Sequence, residues 1–192
     1  MQLLPPAIVH DVVLVTNRAF IMGVRLSRLY LLRHAKAGWA MPGVRDFDRP
    51  LDESGMADAE AIGEAMRVRS YVPDVTLCSN AKRARQTLEG LAGRTDTGRV
   101  LFFDTLYSED AAGYLDIIRR NGGADSLLVI GHNPMTEDLA MAVSGDGEEP
   151  ARGMMNHGFP TSGLAVVRFP GNLAEAAQGN GYLEAFLTPA DL

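Results

Sequence analysis

The sequence predicts an α/β fold, a three-layer sandwich with a mostly parallel central sheet and helices on both of its faces. Short apolar runs alternate along the chain with segments whose apolar residues recur at helical spacing, which is the pattern of strands and helices in turn. Several runs, among them 29–32 and 126–130, are apolar apart from Ser126. Continuous apolar runs are typical of strands that are buried on both faces of a parallel sheet.

The predicted elements follow one another from residue 29 without a linker or an internal repeat. The strands are 29–32, 75–78, 100–103, 126–130, 163–168 and 182–187. The helices begin at a cap on Asp52 or Ser54, near residue 81, ahead of 115–119, and at Pro134 with Asn133 as its cap. The segment 145–158 is rich in glycine and acidic residues and is predicted to be a loop.

Composition narrows the classes of function. The 192 residues are 46% hydrophobic and 22% charged, which suits one globular domain with a buried core. The net charge of −6 argues against a nucleic-acid partner, because binding to phosphate backbones needs a clustered basic surface. Cys78 is the only cysteine, so no intrachain disulfide can form, and we expect a buried thiol in a cytoplasmic protein.

The beginning of the chain does not share this pattern. We expect residues 1–23 to be a poorly ordered N-terminal extension that precedes one domain at 24–192. Residues 7–15 are apolar apart from His10-Asp11 and are too few to span a bilayer, so no membrane association is expected. A signal peptide is not predicted either, because a basic start and a small-residue cleavage site are missing. Met22 lies just ahead of the first strand, so a translation start at Met22 is one explanation of the extension.

Two histidines stand at equivalent places, each just after an apolar run. Arg33 and His34 follow the run 29–32, and His132 follows the run 126–130 after one glycine. Carboxyl ends of neighbouring parallel strands lie at the same sheet edge, which is where ligands bind in open α/β folds. We therefore expect His34 and His132 to meet over a shared ligand.

A third strand end is followed by basic residues at the start of a helix. With Ser79 or Asn80 as the cap, Lys82 and Arg83 fall in the first turn, where the helix dipole disfavours cations by about 0.3–1 kcal/mol. A bound anion would offset that cost, because backbone N–H groups and a guanidinium together suit a phosphate. We assign Arg83 to such a site and interpret Lys82 and Arg85 as surface residues.

Three motifs, in this order, resemble those of the histidine phosphatase superfamily, also called the phosphoglycerate mutase-like family. They are Arg33-His34-Ala35, the segment 79–87 with Arg83 at its centre, and Gly131-His132-Asn133-Pro134. Asp46-Phe47-Asp48-Arg49-Pro50-Leu51 and Pro160-Thr161-Ser162-Gly163 are similar to the short phosphohistidine phosphatase branch. The resemblance covers about 29–167 and implies a phosphoglycerate mutase-like fold.

The resemblance also implies a mechanism through a covalent intermediate. His34 would be the nucleophile that becomes a phosphohistidine, which water then hydrolyses. Arg33 and Arg83 would bind the phosphoryl oxygens, and His132 would add a hydrogen bond as the imidazolium. These cations would stabilise the transferred charge, so neither a metal nor a cofactor is implied.

The substrate implied is a phosphohistidine-bearing protein or a small phosphorylated molecule. The sequence has no insertion large enough for a capping domain, which favours a phosphate carried by a protein. A broad small-molecule phosphomonoesterase is the alternative, and it would need Glu109 or Asp110 as the general acid, although both are interpreted as surface acids. A regulatory module that binds phosphate without turnover is a third hypothesis, and the oligomeric state stays open.

Two other groups of residues have plainer interpretations. Asp46 and Asp48, with the histidines, offer ligand types that metals use. Arg45 and Arg49 flank the two carboxylates and would repel a cation, so ion pairs within the loop are predicted instead. His157 is predicted to occupy a turn.

Overall fold

The structure, a computed structural model, describes residues 20–21 and 24–192. The strands in these residues are β1 (Phe20–Ile21), β2 (Val24–Arg33), β3 (Val75–Ser79), β4 (Arg99–Phe103), β5 (Ser126–Gly131), β6 (Ser144–Gly147), β7 (Leu164–Pro170) and β8 (Gly181–Leu187). The α-helices are α1 (Glu53–Val68), α2 (Lys82–Ala92), α3 (Thr105–Ser108), α4 (Ala111–Asn121), α5 (Met135–Val143) and α6 (Glu149–Asn156).

The strands form one mixed sheet with the order β4-β3-β5-β2-β7-β8-β6, and β1 pairs with β2 beside this path. The neighbours among β4, β3, β5 and β2 run parallel, whereas β7 is antiparallel to both β2 and β8. Strand β6 is parallel to β8. The predicted α/β fold with a mostly parallel central sheet is confirmed.

The register of the sheet brings the predicted site residues to one edge. Arg33 of β2 is paired with Gly131 of β5, so His34 and His132 follow at the same level. On the other side of β5, Cys78 of β3 is paired with Ile130. Strands β2, β3 and β5 therefore end side by side.

Alternate residues of the strands enter two hydrophobic cores, one on each face of the sheet. Leu29 and Leu31 belong to the core that includes residues of α4 and α5. Tyr30 and Leu32 belong to the core that includes residues of α1 and α2. A strand whose two faces are both covered is typically a near-continuous hydrophobic run, which accounts for the composition of 29–32.

The predicted start of α1 is confirmed, whereas the prediction of a loop at 145–158 is wrong. Asp52 caps α1 as predicted, because its carboxylate accepts a hydrogen bond from Gly55 N at 2.8 Å. The predicted loop 145–158 instead contains most of β6 and all of α6. Helix α6 buries Ala151 and Met155 on one side and tolerates Pro150 in its first turn.

Two predicted helix caps are also wrong. Ala81, rather than Ser79 or Asn80, occupies the cap position of α2. Pro134 occupies that position in α5, and the Asn133 side chain makes no capping hydrogen bond there. The Ser79 hydroxyl is instead hydrogen-bonded to His132, and the Asn133 side chain donates to the carbonyl oxygen of Phe159.

The predicted extension at 1–23 lies outside the described residues except for β1, which pairs with β2 at Phe20 and Arg25. Its boundary and its order therefore stay predictions. In the described part of the chain, no helix is long and apolar enough to cross a membrane.

Candidate active site

The four predicted site residues lie at the carboxyl edge of the sheet. His34 follows β2, His132 follows β5, and Arg83 lies in the first turn of α2, which follows β3. The ring centroids of His34 and His132 are 4.9 Å apart, and Arg83 contacts both rings. Arg33 is the last residue of β2, so the structure brings all four residues to one place.

His34 presents an unprotonated nitrogen to this site. Its Nδ1 lies 2.7 Å from the carbonyl oxygen of Ala35, and because a carbonyl can only accept, Nδ1 carries the ring proton. Nε2 then holds the lone pair, and Arg83 Nε donates a hydrogen bond to it at 3.0 Å. The imidazole is thus held in the tautomer whose free nitrogen faces the guanidinium.

Hydrogen bonds from two neighbouring segments fix the backbone around His34. Ala35 N donates to Thr87 Oγ1 at 2.9 Å, and the same hydroxyl donates to the Arg83 carbonyl oxygen at 2.7 Å. Ser162 N donates to carbonyl oxygens at the end of β2, including that of His34 at 3.3 Å. Ser162 adopts a positive φ of 59° to do so. The loop 160–163 and α2 together therefore orient the imidazole.

The Arg83 guanidinium joins three groups of the site. Besides His34, it contacts His132 Nδ1 through Nη2 at 3.3 Å. Nη1 donates to the backbone oxygen of Asp46 at 2.7 Å, and Nη2 donates to the Asp46 carboxylate at 3.0 Å. Tyr107 Oη donates to the same carboxylate oxygen at 2.8 Å. Arg83 is 7% exposed, so its geometry is set by these partners.

His132 is held in the opposite tautomer. A guanidinium only donates, so Nδ1 accepts from Arg83 and Nε2 carries the proton. Nε2 donates to Ser79 Oγ at 2.9 Å, and Tyr114 Oη accepts from the backbone N of His132 at 3.2 Å. The ring of Tyr107 packs edge-on at 5.3 Å. Both unprotonated ring nitrogens of the histidine pair therefore face Arg83.

The guanidinium of Arg33 has one nitrogen donor that is hydrogen-bonded and another that is unpaired. Its Nη1 donates to the carbonyl oxygen of Phe159 at 2.7 Å. Its buried Nε has no hydrogen-bond partner among the described residues. Asn133 Nδ2 donates to the same Phe159 oxygen at 3.1 Å and to Glu137 at 2.8 Å. A buried guanidinium donor without a partner is costly unless a ligand satisfies it.

Comparison with known proteins decides the family. The model of the histidine phosphatase superfamily, branch 1, matches residues 29–106. The proposed phosphohistidine phosphatase SixA of Agrobacterium tumefaciens has a solved structure that is 39% identical, with a TM-score of 0.74, and the match covers 85% of this chain and 98% of that one. The chain belongs to the histidine phosphatase superfamily.

Solved structures of SixA-like proteins place this histidine phosphatase in the short, SixA-like branch. The proposed phosphohistidine phosphatase SixA of Nakamurella multipartitia is 31% identical, with a TM-score of 0.74 and coverage of 85% and 96% of the two chains. An uncharacterised protein of Mycobacterium tuberculosis is 35% identical over 162 residues, which are 82% of this chain and 99% of that protein. The likeness thus extends over nearly the whole length of these short proteins.

Burial and nearby cations keep both site histidines of the phosphatase neutral. Burial, followed by the charges of Arg83 and Arg33, lowers the pKa of His34 to about 4, against the opposing hydrogen bond to Ala35. Burial, followed by His34 and Arg83, lowers the pKa of His132 to about 3. The expectation that His132 is an imidazolium is therefore wrong for this structure, because its Nδ1 accepts a hydrogen bond from a cation.

The loop between β2 and α1 supplies a carboxylate that the sequence did not place in the site. Hydrogen bonds from Arg49, followed by Tyr107 and Arg83, lower the pKa of Asp46 to about 2. Arg49 pairs with Asp46 and Arg45 pairs with Asp48, which confirms the predicted ion pairs within the loop. In 20–21 and 24–192, no three His, Cys, Asp or Glu side chains are grouped to hold a metal.

The two acids considered as proton donors have other surroundings. Asp110 caps α4, since its carboxylate accepts from Gly113 N at 2.9 Å. Glu109 lines a separate cavity together with Phe103 and Thr105. Among the described residues, no hydrogen bond or ion pair connects either acid to the four predicted site residues. Their interpretation as surface acids is supported.

Other sequence-based interpretations have clear outcomes. Cys78 is buried, and burial raises the pKa of its thiol to about 12, which confirms the inert core residue. His157 ends α6 and its Nδ1 donates to Gly153 O, as a turn residue can, but it also lines the cavity beside Arg33. Tyr107 was missed altogether because it lies on α3, a helix of one turn with no periodic signal.

Proposed function

We propose that this protein is a phosphohistidine phosphatase, in which the phosphoryl group passes first to His34 Nε2 and then to water. The observation that supports the proposal most is the hydrogen bond between Arg83 Nε and the lone pair of His34. A phosphoryl oxygen bound by Arg83 would bring its phosphorus next to that nitrogen. The lone pair can attack phosphorus once Arg83 Nε donates to a phosphoryl oxygen in place of His34, so the nucleophile and the charge-stabilising donor lie side by side.

The tautomer of His34 accounts for both chemical steps. In the first step the Nε2 lone pair attacks phosphorus, and the bond from phosphorus to the substrate breaks. The cationic phosphoimidazole ring keeps its Nδ1 proton on the oxygen of Ala35. In the second step water attacks phosphorus and the P–N bond breaks. His34 leaves as a neutral imidazole because Nδ1 has kept its proton, and the proton released by water goes to the phosphate or to solvent.

The arginines would stabilise the charge of the transferred group. Arg83 reaches the reacting nitrogen directly, and the unpaired Nε of Arg33 supplies a further donor. In a loose phosphoryl-transfer transition state the charge lies on the equatorial oxygens, where guanidinium groups bind well. His132 would hold Nη2 of Arg83 in place through Nδ1, while Ser79 fixes its tautomer.

The electrostatics favour a phosphoramidate over a phosphoester substrate. An alkoxide leaving group needs a protonated acid, but the pKa of Asp46 is about 2, so this carboxylate stays ionised near neutral pH. A protonated phosphoimidazole releases a neutral imidazole without such help. The proposed substrate is therefore phosphohistidine on a protein. Phosphohistidine phosphatase is also the activity proposed for the two relatives of known structure.

Steady-state turnover of a phosphohistidine-bearing protein tests the proposal against an alkyl phosphate. We expect kcat/KM to be at least about 100-fold higher for phosphohistidine, the size of one catalytic group. His34→Ala should remove turnover, and a chelator should leave the wild-type rate unchanged. Preference for the alkyl phosphate, or loss of activity with the chelator, would contradict the proposal.

A further inference from the structure

A cavity of about 600 Å³ opens beside Arg33. Part of its lining is apolar and comes from Met154, Phe159, Pro160 and Phe186. The guanidinium of Arg33 lies in the same lining, so a substrate whose phosphoryl group is bound by Arg33 can extend its remaining part into this space. The cavity has the size and the apolar walls that suit a flat ring.

The charges of this cavity restrict what it accepts. Glu137 and Asp191 contribute carboxylates, and Arg33 is the one arginine or lysine among the described residues that line it. Asp191 is already bonded to Thr188 Oγ1 at 2.5 Å. A leaving group that carries a carboxylate or a second phosphate would meet like charge here. A leaving group with an N–H donor, or with a positive charge, would find an acceptor.

The Glu137 carboxylate is held at a fixed place relative to Arg33. Asn133 Nδ2 donates to Glu137 Oε2 at 2.8 Å and to the Phe159 carbonyl oxygen at 3.1 Å. Arg33 Nη1 donates to that same oxygen at 2.7 Å. The charge of Glu137 also raises the pKa of Arg33 against the dominant lowering by burial, as expected for two groups close in space. One carbonyl and one amide therefore set the spacing of the cation and the anion.

We propose that this cavity is the subsite for the leaving group, and that Glu137 selects phosphoryl donors whose leaving group carries an N–H. The inference rests on the proposed function and names the part of the site that recognises the substrate ring. Glu137 would accept the N–H of the phosphorylated imidazole, at the ring nitrogen that does not carry phosphorus.

This contact assists bond cleavage with no proton transfer from the protein. A carboxylate that accepts the ring N–H favours the protonated phosphoimidazole, in which the leaving group is a neutral imidazole. When His34 Nε2 forms its bond to phosphorus, the substrate P–N bond breaks and the electron pair stays on the ring nitrogen. The other ring nitrogen keeps its proton on Glu137. The Ala35 carbonyl likewise holds the Nδ1 proton of His34 in the second step, when His34 is the leaving group.

The test compares Glu137→Gln with Asp138→Asn, a matched loss of one carboxylate from the exposed next residue. The measured quantity is the ratio of kcat/KM for a phosphohistidine peptide to kcat/KM for an aryl phosphate, whose leaving group has no N–H. We expect this ratio to fall at least tenfold in Glu137→Gln and to stay unchanged in Asp138→Asn. An unchanged ratio in Glu137→Gln, or an equal loss with both substrates, would overturn the inference.

A binding measurement tests the charge of the proposed subsite without turnover. Phosphoglycerate carries a carboxylate on its would-be leaving group, so we expect it to inhibit Glu137→Gln more tightly than wild type. Equal inhibition of the two would count against the subsite.

If wild type hydrolyses phosphohistidine while Glu137→Gln keeps the wild-type ratio of kcat/KM values, the subsite is wrong and the proposed function stands. If wild type does not hydrolyse phosphohistidine, both are wrong.

Discussion

Arg83 Nε donates a hydrogen bond to His34 Nε2 at 3.0 Å, so a guanidinium covers the lone pair of the proposed nucleophile. The pair comes from two parts of the chain, the end of β2 and the first turn of α2. A cation in that turn opposes the helix dipole. The hydrogen bonds of Arg83 with His34, His132 and Asp46 offset this unfavourable interaction.

Arg83→Lys should lower kcat by at least about 100-fold, a loss typical for removal of one charge-stabilising donor. A lysine has one ammonium and cannot contact His34, His132 and Asp46 together, as the guanidinium does. Steady-state kinetics on a folded variant, checked by circular dichroism, measures the effect. Arg85→Lys, on the exposed side of the same helix, should retain activity within about twofold. A fully active Arg83→Lys would contradict the bridging role.

Asp46→Asn should bind orthovanadate more tightly than wild type. The Asp46 carboxylate accepts from Arg83 Nη2 at 3.0 Å and so competes with any phosphoryl oxygen for this donor. The expected gain is roughly twofold to fivefold, because ion pairs with exposed carboxylates are worth up to about 1 kcal/mol. Competitive inhibition measures it, with Asp48→Asn as the control in the same loop. Weaker binding would mean that Asp46 positions Arg83 instead of competing for it.

The stability of the protein should fall as the pH drops below 6.5, in part through His132. The pKa of this imidazole is about 3 in the folded protein and about 6.5 in an unfolded chain. In that window the unfolded state binds a proton that the folded state does not, so acid favours unfolding.

His132→Asn removes this proton linkage. The difference in free energy of unfolding between wild type and His132→Asn should therefore shrink by about 2 kcal/mol between pH 7 and pH 5. Urea unfolding at the two pH values measures the difference. A difference that does not change with pH would show that folding leaves the pKa of His132 unshifted, and a difference that widens at pH 5 would show that the folded protein holds His132 protonated.

Thr87→Val should destabilise the protein and lower its activity together. The buried hydroxyl accepts from Ala35 N and donates to the Arg83 carbonyl oxygen, so valine leaves the buried Ala35 N–H unpaired. Such a group costs about 1–3 kcal/mol. Chemical denaturation measures the loss, and Thr87→Ser keeps the hydroxyl and should recover most of the stability. Equal stability of all three proteins would refute the link.

The main lines of the site could be predicted because they depend on local pattern and on one topological rule. An apolar run that ends in Arg33-His34 and another that ends before His132 predict two parallel strands with adjacent ends, and the pairing of Arg33 with Gly131 confirms this. The roles of these residues in catalysis stay a proposal.

The rest of the site depends on contacts between distant segments, which no local pattern encodes. Asp46 reaches Arg83 from a loop 37 residues earlier in the chain, and its charged neighbours predicted only local ion pairs. Serine is a common residue at helix caps, but the Ser79 hydroxyl instead accepts a hydrogen bond from His132. Helix α6 was hidden because Pro150 and Gly153 are typical of loops, and its burial against the core outweighs their low propensity.

In the proposed mechanism, His34 carries the phosphoryl group during turnover. The most direct measurement is peptide mapping by mass spectrometry after the enzyme is mixed with a phosphohistidine protein and quenched in base, which preserves phosphohistidine. We expect a phosphorylated peptide with the modification on His34 in wild type and none in His34→Ala. Phosphate release by wild type without a label on His34, or with the label on another residue, would contradict it.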